Sequence, residues 1–299
     1  MTLFNDPQRL TRFTAVLAIA VATVLAVIKA VTWLLTGSLG MLATAVDSLL
    51  DVGMSGISLF AIRTAQRPPD REHRFGHGKA EPLAAMAQGA FIAGSSLLLL
   101  MEAGRRLQEP VILEQTSTGF AVMVLAIVMT LLLVAWQYWV VRRTQSLAIA
   151  ADMTHYRVDI LVNVFVMIGL VLVNATQKAW IDSAIAASLA VYLLRTSWQI
   201  SKQALDMLLD RELPDDEREK IGTLIRAEPS VRDFHDLRTR AAGSARFIQF
   251  HLELDSDLTL AEAHEVTDRV EKAIEALYPE THVAIHQEPY GIEDHRDNF

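Results

Sequence analysis

Long apolar runs dominate the first two thirds of the chain. Six stand out, at roughly 12–36, 41–63, 83–106, 117–141, 146–173 and 179–205, with short connections between them. A hydrocarbon core about 30 Å thick is crossed by roughly 20 mostly apolar helical residues, so each run predicts a transmembrane helix. The first begins after Asn5, Asp6, Arg9 and Arg12, is too long for the apolar region of a signal peptide, and ends without a small-residue cleavage pattern. It reads as a retained span.

Beyond Leu209 the pattern changes to short amphipathic elements. A charged helix is expected near 214–227, strands near 231–241, 246–254 and 281–287, and a second helix at 260–277. In Phe247–Leu254 the apolar Ile248, Phe250, Leu252 and Leu254 alternate with Gln249, His251 and Glu253, which is the period of a half-buried strand. Leu260, Ala263, Val266, Val270, Ile274 and Leu277 recur at helical period, predicting a core-facing stripe. The expected architecture is an all-α membrane domain of six helices over 1–209, an α+β domain over 210–292, and a tail, 293–299. A domain of this size has limited core area, which packing against a second copy or binding metal would supplement.

Charge divides the chain at the same place. Of 299 residues, 27 are Lys or Arg and 35 are Asp or Glu. Residues 1–209 hold 16 basic and 13 acidic side chains, whereas 210–299 hold 11 and 22. The apolar runs exclude a purely soluble enzyme, and the acidic tail domain excludes nucleic acid as a partner. With no cysteine, disulfides, thiolate metal sites and cysteine nucleophiles are excluded too. Basic residues collect before the first span (Arg9, Arg12), between the second and third (Arg63, Arg67, Arg71, Arg74, Lys79) and between the fourth and fifth (Arg142, Arg143). The other loops offer Arg105, Arg106 and Lys178. The positive-inside rule therefore puts both termini, and the acidic domain, in the cytoplasm of a multi-pass protein, consistent with a bacterial-type inner membrane.

The costly residues lie inside the spans. Asp47 and Asp51 sit within the second run, and a central Asp costs about 2.5–3.5 kcal/mol to insert. Four residues apart, they share one helical face. The uninterrupted apolar part of the fifth run is too short to cross alone, so its helix must begin near Ala148 and bring His155 and Asp159 into the membrane, again four apart. Four oxygen or nitrogen donors from two helices suit a tetrahedral divalent ion, zinc above all, with Cd²⁺ a larger competitor. Magnesium and calcium prefer six or more oxygens. Without metal the carboxylates repel one another and favour protons, so protons and metal exclude each other. Read as structural hydrogen-bonding groups, these residues require two matched pairs on different spans to coincide. Lys29, toward the outer end of the first span, is expected to snorkel to the lipid headgroups.

Four strings, Thr44-Ala-Val-Asp47-Ser-Leu-Leu-Asp51, His73-Arg-Phe-Gly-His77-Gly-Lys79-Ala-Glu81, Asp152-Met-Thr-His155-Tyr-Arg-Val-Asp159 and His235-Asp-Leu-Arg-Thr-Arg240, resemble the cation diffusion facilitator family, most closely its bacterial zinc/proton antiporters. The resemblance implies a homodimeric exporter of Zn²⁺, often also Cd²⁺, that works by alternating access with protons as counter-ion, and a metallochaperone-like αββαβ cytoplasmic domain. It implies a transport site at Asp47, Asp51, His155 and Asp159, where histidine in the third position goes with zinc and cadmium and aspartate with iron or manganese. A loop site would use Asp70, His73 and His77, although a solvated positive-inside loop also accounts for that segment. Regulatory zinc in the cytoplasmic domain would be held by His235, His251, His264 and His286, with Glu288 where the family has aspartate. His251 and His286 are also readable as ordinary surface histidines, as are His282 and His295. Lys79 and Asp210 resemble a family charge pair joining the two domains at the dimer contact.

Three rival functions remain at this level. Export of Mn²⁺ or Fe²⁺ would use the same scaffold. A membrane-anchored metal sensor would leave the intramembrane carboxylates unexplained. An intramembrane metallohydrolase finds no His-Glu-x-x-His motif, and four protein donors leave no open metal position.

Overall fold

A computed structural model describes residues 6–36, 39–108, 117–176, 180–278 and 280–291. Lys178, His295 and the segment 293–299 lie outside the described residues. The chain forms two compact units, 1–205 and 206–299.

The first unit holds the long helices α1 (Pro7–Thr36), α2 (Leu39–Ala65), α3 (Ala80–Gln108), α4 (Ser117–Thr144) and α5 (Leu147–Thr176), and most of α6 (Trp180–Leu208). Described stretches of α1 to α4 are long and apolar enough to cross a membrane. Large apolar side chains such as Leu34, Leu132 and Trp198 are exposed, as lipid-facing residues are. The interior faces are instead lined by small and polar residues, among them Ala15, Ala18, Ala22, Ser55, Ser58 and Gln88, which let helices approach closely and hydrogen-bond across. At Gly89 on α3 an added Cβ would crowd the Ser201 hydroxyl, and Ser197 Oγ donates to the Gly89 carbonyl at 2.7 Å, so α3 and α6 approach closely here.

Helix α5 starts at Leu147, early enough to carry His155 and Asp159 two to three turns inside the helix. Its start is capped from another helix. Ser146 Oγ donates to Glu81 Oε2 at 2.7 Å, and the Ala148 N–H approaches the same oxygen at 3.5 Å. This buried carboxylate at the start of α3 thus answers the unpaired N–H groups of α5.

The second unit contains α7 (Asp215–Arg226), β1 (Val231–Ala242), β2 (Ala245–Leu254), α8 (Leu260–Glu275) and β3 (Thr281–Pro289). Its sheet has the order β1-β2-β3, with β1 antiparallel and β3 parallel to the central β2. Ile221 and Ile225 of α7 and Val266, Val270 and Ile274 of α8 pack on Ile248, Phe250, Leu252 and Leu254 of β2. Thr259 begins α8 with a reciprocal capping box to Glu262. The apolar stripe expected on α8 is shorter than its sequence period: Leu260 at its first position is 81% exposed, and Leu277, 40% exposed, lies beyond the helix end at Glu275.

Candidate metal centres

On α2, helical period places Asp51 and Ser55 one turn apart on one face. On α5 it does the same for Asp152, His155 and Asp159. Packing brings the two faces together. His155 Nε2 donates to Asp51 Oδ1 at 3.0 Å and lies 3.7 Å from Asp159 Oδ2. Its side chain is only 4% exposed, with ring edges against Phe91 and Tyr156 at 5.5 and 5.6 Å, so the imidazole has one available direction. Zinc bonded at about 2.0–2.1 Å has neighbouring ligands about 3.3 Å apart in a tetrahedron, and these separations bracket that edge. Asp159 Oδ2 is buried without a hydrogen-bond partner, an arrangement that is costly unless a cation answers it.

Asp47, the fourth expected donor, lines the same cavity but is not in the close triad of Asp51, His155 and Asp159. The cavity is small, about 30 Å³. Lys29 departs from expectation: it does not snorkel outward. Its Nζ donates to Ser48 Oγ at 2.6 Å and it lines this cavity with Asp47, Asp51 and Asp159. The signal was present in the sequence, because Ala15, Ala18, Ala22, Leu25 and Thr32 form the buried stripe of α1 at alternating spacings of three and four, and Lys29 falls on it.

Sequence reasoning also passed over Asp152. Fully buried, it accepts from Ser55 Oγ at 3.0 Å and from Gln137 Nε2 at 2.7 Å, while Ser55 and the Tyr156 hydroxyl are 2.7 Å apart. Helices α2, α4 and α5 are thereby pinned one turn from the triad.

The loop between α2 and α3 gathers its three expected residues. Asp70 Oδ1 accepts the Glu72 and His73 N–H groups at 2.9 and 2.7 Å, an Asx turn that Gly76, at φ +79°, continues toward α3. His77 Nε2 lies 3.2 Å from Asp70 Oδ2, and His73 Nδ1 lies 3.3 Å from Asp70 Oδ1. The His73 N–H, joined by the Glu72 N–H and the His73 ring, holds the Asp70 carboxyl below the usual carboxylate range. His77 Nδ1 is buried without a partner.

In the second unit the polar sheet face carries a row of imidazoles in register. His235 pairs with His251 across β1 and β2, and His251 with His286 across β2 and β3, with ring centroids 5.0 and 4.9 Å apart. Glu288 lies beside all three: 2.5 Å from His251 Nδ1 and 3.5 Å from His235 Nε2 and from His286 Nε2. The longer glutamate reaches the histidine row. His264 stands apart, exposed on α8. Alternation placed Glu253 on the polar face, and the structure buries it there, accepting from His235 Nδ1 at 3.0 Å. Glu253 and Glu288 are direct neighbours across β2 and β3, a like-charge pair that is unfavourable unless the imidazoles beside it or a cation offset it. His235 Nε2 is buried and makes no hydrogen bond, with Glu288 its ionic neighbour.

Lys79 and Asp210 belong to different units. Asp210 takes φ +57° just after α6, and its Oδ1 accepts from Arg240 Nη1 at 3.3 Å within the second unit.

Each of the three clusters therefore combines ligand-distance spacing with one buried donor atom that makes no hydrogen bond. If the tail cluster holds a metal, Glu253→Gln is expected to weaken its binding about 10–100-fold while leaving the fold intact, because it removes the negative charge beside His235 and leaves only a weaker amide oxygen to orient the ring. Zinc titration of the full chain with the loop histidines replaced measures this; unchanged affinity would make Glu253 a filler of the sheet face.

Two family models match the sequence: one described as cation efflux transmembrane domain over residues 15–209, the other as cation efflux protein, cytoplasmic domain, over 213–290. The chain is 44% identical over 290 residues to the cation-efflux pump FieF of Serratia proteamaculans, covering 96% of each, and 43% identical over 286 residues to that of Klebsiella pneumoniae, covering 95% of this chain and 94% of the other. Among solved structures it is similar to the metal-bound C-terminal domain of the CzcD transporter from Thermotoga maritima, at 29% identity and a TM-score of 0.26, over 26% of this chain and 93% of that one.

Proposed function

The chain belongs to the cation diffusion facilitator family, of the FieF cation-efflux type, and from that premise we propose that it exports Zn²⁺, and also Cd²⁺, from the cytoplasm in exchange for protons. It is an integral membrane transporter and not an enzyme. The observation that carries the zinc reading is the triad of Asp51, His155 and Asp159, whose donor separations of 3.0 and 3.7 Å suit a tetrahedral ion and whose Asp159 oxygen has no other partner.

In this reading cytoplasmic zinc reaches the face between α2 and α5, and Asp47 completes the coordination as the helices rearrange. An imidazole among carboxylates favours a borderline-soft metal over Mg²⁺ or Ca²⁺. Protons and zinc compete for the same lone pairs, so inward-moving protons displace the ion on the far side and reset the site. Rocking of helices around a midplane site is the general route to alternating access.

The loop cluster Asp70, His73 and His77 holds zinc weakly, with water completing its shell. The tail cluster of His235, His251, His286, Glu253 and Glu288 is regulatory: bound zinc neutralises the acidic strand face and favours the homodimer. With both termini in the cytoplasm, that domain samples the compartment being emptied.

Proteoliposomes loaded at one pH and diluted into another test the exchange directly. Zinc uptake is expected to rise with an imposed proton gradient of opposite direction and to collapse when an ionophore dissipates it. Uptake indifferent to the gradient would remove proton exchange, and faster uptake of Mn²⁺ or Fe²⁺ than of Zn²⁺ would favour the rival exporter.

A further inference from the structure

The zinc site as read so far has a charge problem. Asp47, Asp51 and Asp159 contribute three negative charges, so a dication beside a neutral His155 leaves a net charge of minus one inside a low-dielectric membrane. The cavity these residues line contains one further ionic side chain, Lys29 of α1. Its Nζ is held by Ser48, a residue 1% exposed that directly follows Asp47 on α2. Lys29 also lies on the buried stripe of α1, between Leu25 and Thr32, which are 6% and 7% exposed. Its direction is therefore fixed by the packing of α1 on α2 and not by an attraction to the headgroups.

We propose that Lys29 is a built-in counter-charge of the transport site, a positioning residue that lowers the site's charge requirement from three to two. The proposal rests on the reading of Asp47, Asp51, His155 and Asp159 as that site. With Lys29 counted, the zinc-loaded site is neutral, which is the least costly state in which to rearrange helices within a bilayer. The same ammonium repels the bound dication. It therefore keeps zinc affinity low enough for release, working against the tight retention expected of an enclosed site rich in carboxylates.

Removing the charge should then have an effect opposite to ordinary damage. A unit charge on the order of 10 Å away, at an effective dielectric of about 20, changes the binding constant of a dication by at most roughly 200-fold, and screening by water and ions brings that down toward ten-fold. Lys29→Met, which keeps the length of the side chain, is expected to lower the zinc KM and the equilibrium dissociation constant by about ten-fold or more, and to lower kcat with them. Lys29→Arg restores both toward wild type, because it restores charge. Lys29→Gln serves as a second neutral variant should the methionine protein fail to fold.

The measurements are zinc titration of the full-length protein and initial zinc flux in proteoliposomes, with Asp51→Ala carried alongside. Tighter binding with slower turnover in the neutral variants supports the counter-charge. Unchanged constants would mean that the Lys29 charge does not act on the bound ion, and weaker binding would make it a packing residue; either overturns the proposal. Wild-type flux in Asp51→Ala would instead remove the site reading beneath it, so the two failures are told apart.

Discussion

Asp51→Ala is expected to cut zinc flux by at least about 100-fold with little loss of folded protein. Asp51 is the one donor that α2 gives to the close triad, and His155 Nε2 bonds to it at 3.0 Å. Without it, Asp159 and His155 remain on α5, and nothing in the close cluster couples the ion to α2. Replacing groups that only support a metal ligand commonly costs 10–100-fold, so loss of the ligand itself should cost more. Folding is preserved because α2 and α5 stay joined one turn away through Ser55 and Asp152. Alanine also removes a carboxylate from a membrane interior, which relieves a cost instead of adding one. Zinc flux in proteoliposomes, read against reconstitution yield, measures it. Equal flux in the variant would show that the ion passes elsewhere.

Much of this could be read from the sequence, and the misses have a common cause. Apolar length marked the long helices, and the spacing of four put Asp47 with Asp51 and His155 with Asp159 on shared faces, because helical period is a property of one segment alone. The tail strands were legible for the same reason, since Ile248, Phe250, Leu252 and Leu254 alternate without interruption. What escaped depended on a neighbour. Glu253 is on the polar face as alternation requires, but its burial comes from His235 on β1 and Glu288 on β3, and register across three strands is not written in any one of them. Lys29 falls on the small-residue stripe of α1, but one helix by itself does not say what that stripe packs against; the contact with Ser48 on α2 does. Asp152 was legible as a residue and illegible as a link, since its partners Ser55 and Gln137 lie on two other helices.

His155→Asp is expected to redirect the site from zinc toward manganese or ferrous iron, shifting the zinc-to-manganese preference by about 10–100-fold or more. Imidazole is the only nitrogen donor in the triad, and replacing it leaves an all-carboxylate set of the kind harder ions prefer. Geometry acts in the same direction. The histidine ring is wedged by Phe91 and Tyr156 and delivers Nε2 to the space between Asp51 and Asp159. An aspartate is shorter, so its oxygen falls back toward α5, enlarging the site and favouring ions with longer bonds and more water ligands. Charge sharpens the contrast: a fourth carboxylate raises affinity for any dication, so total binding alone would mislead. The informative measurement is competition, zinc flux against a series of Mn²⁺ and Cd²⁺ concentrations in wild type and variant. Weaker flux of all metals in proportion would mean that His155 only shapes the site. A changed order among metals would mean that the imidazole sets selectivity, which is what its single nitrogen among oxygens requires.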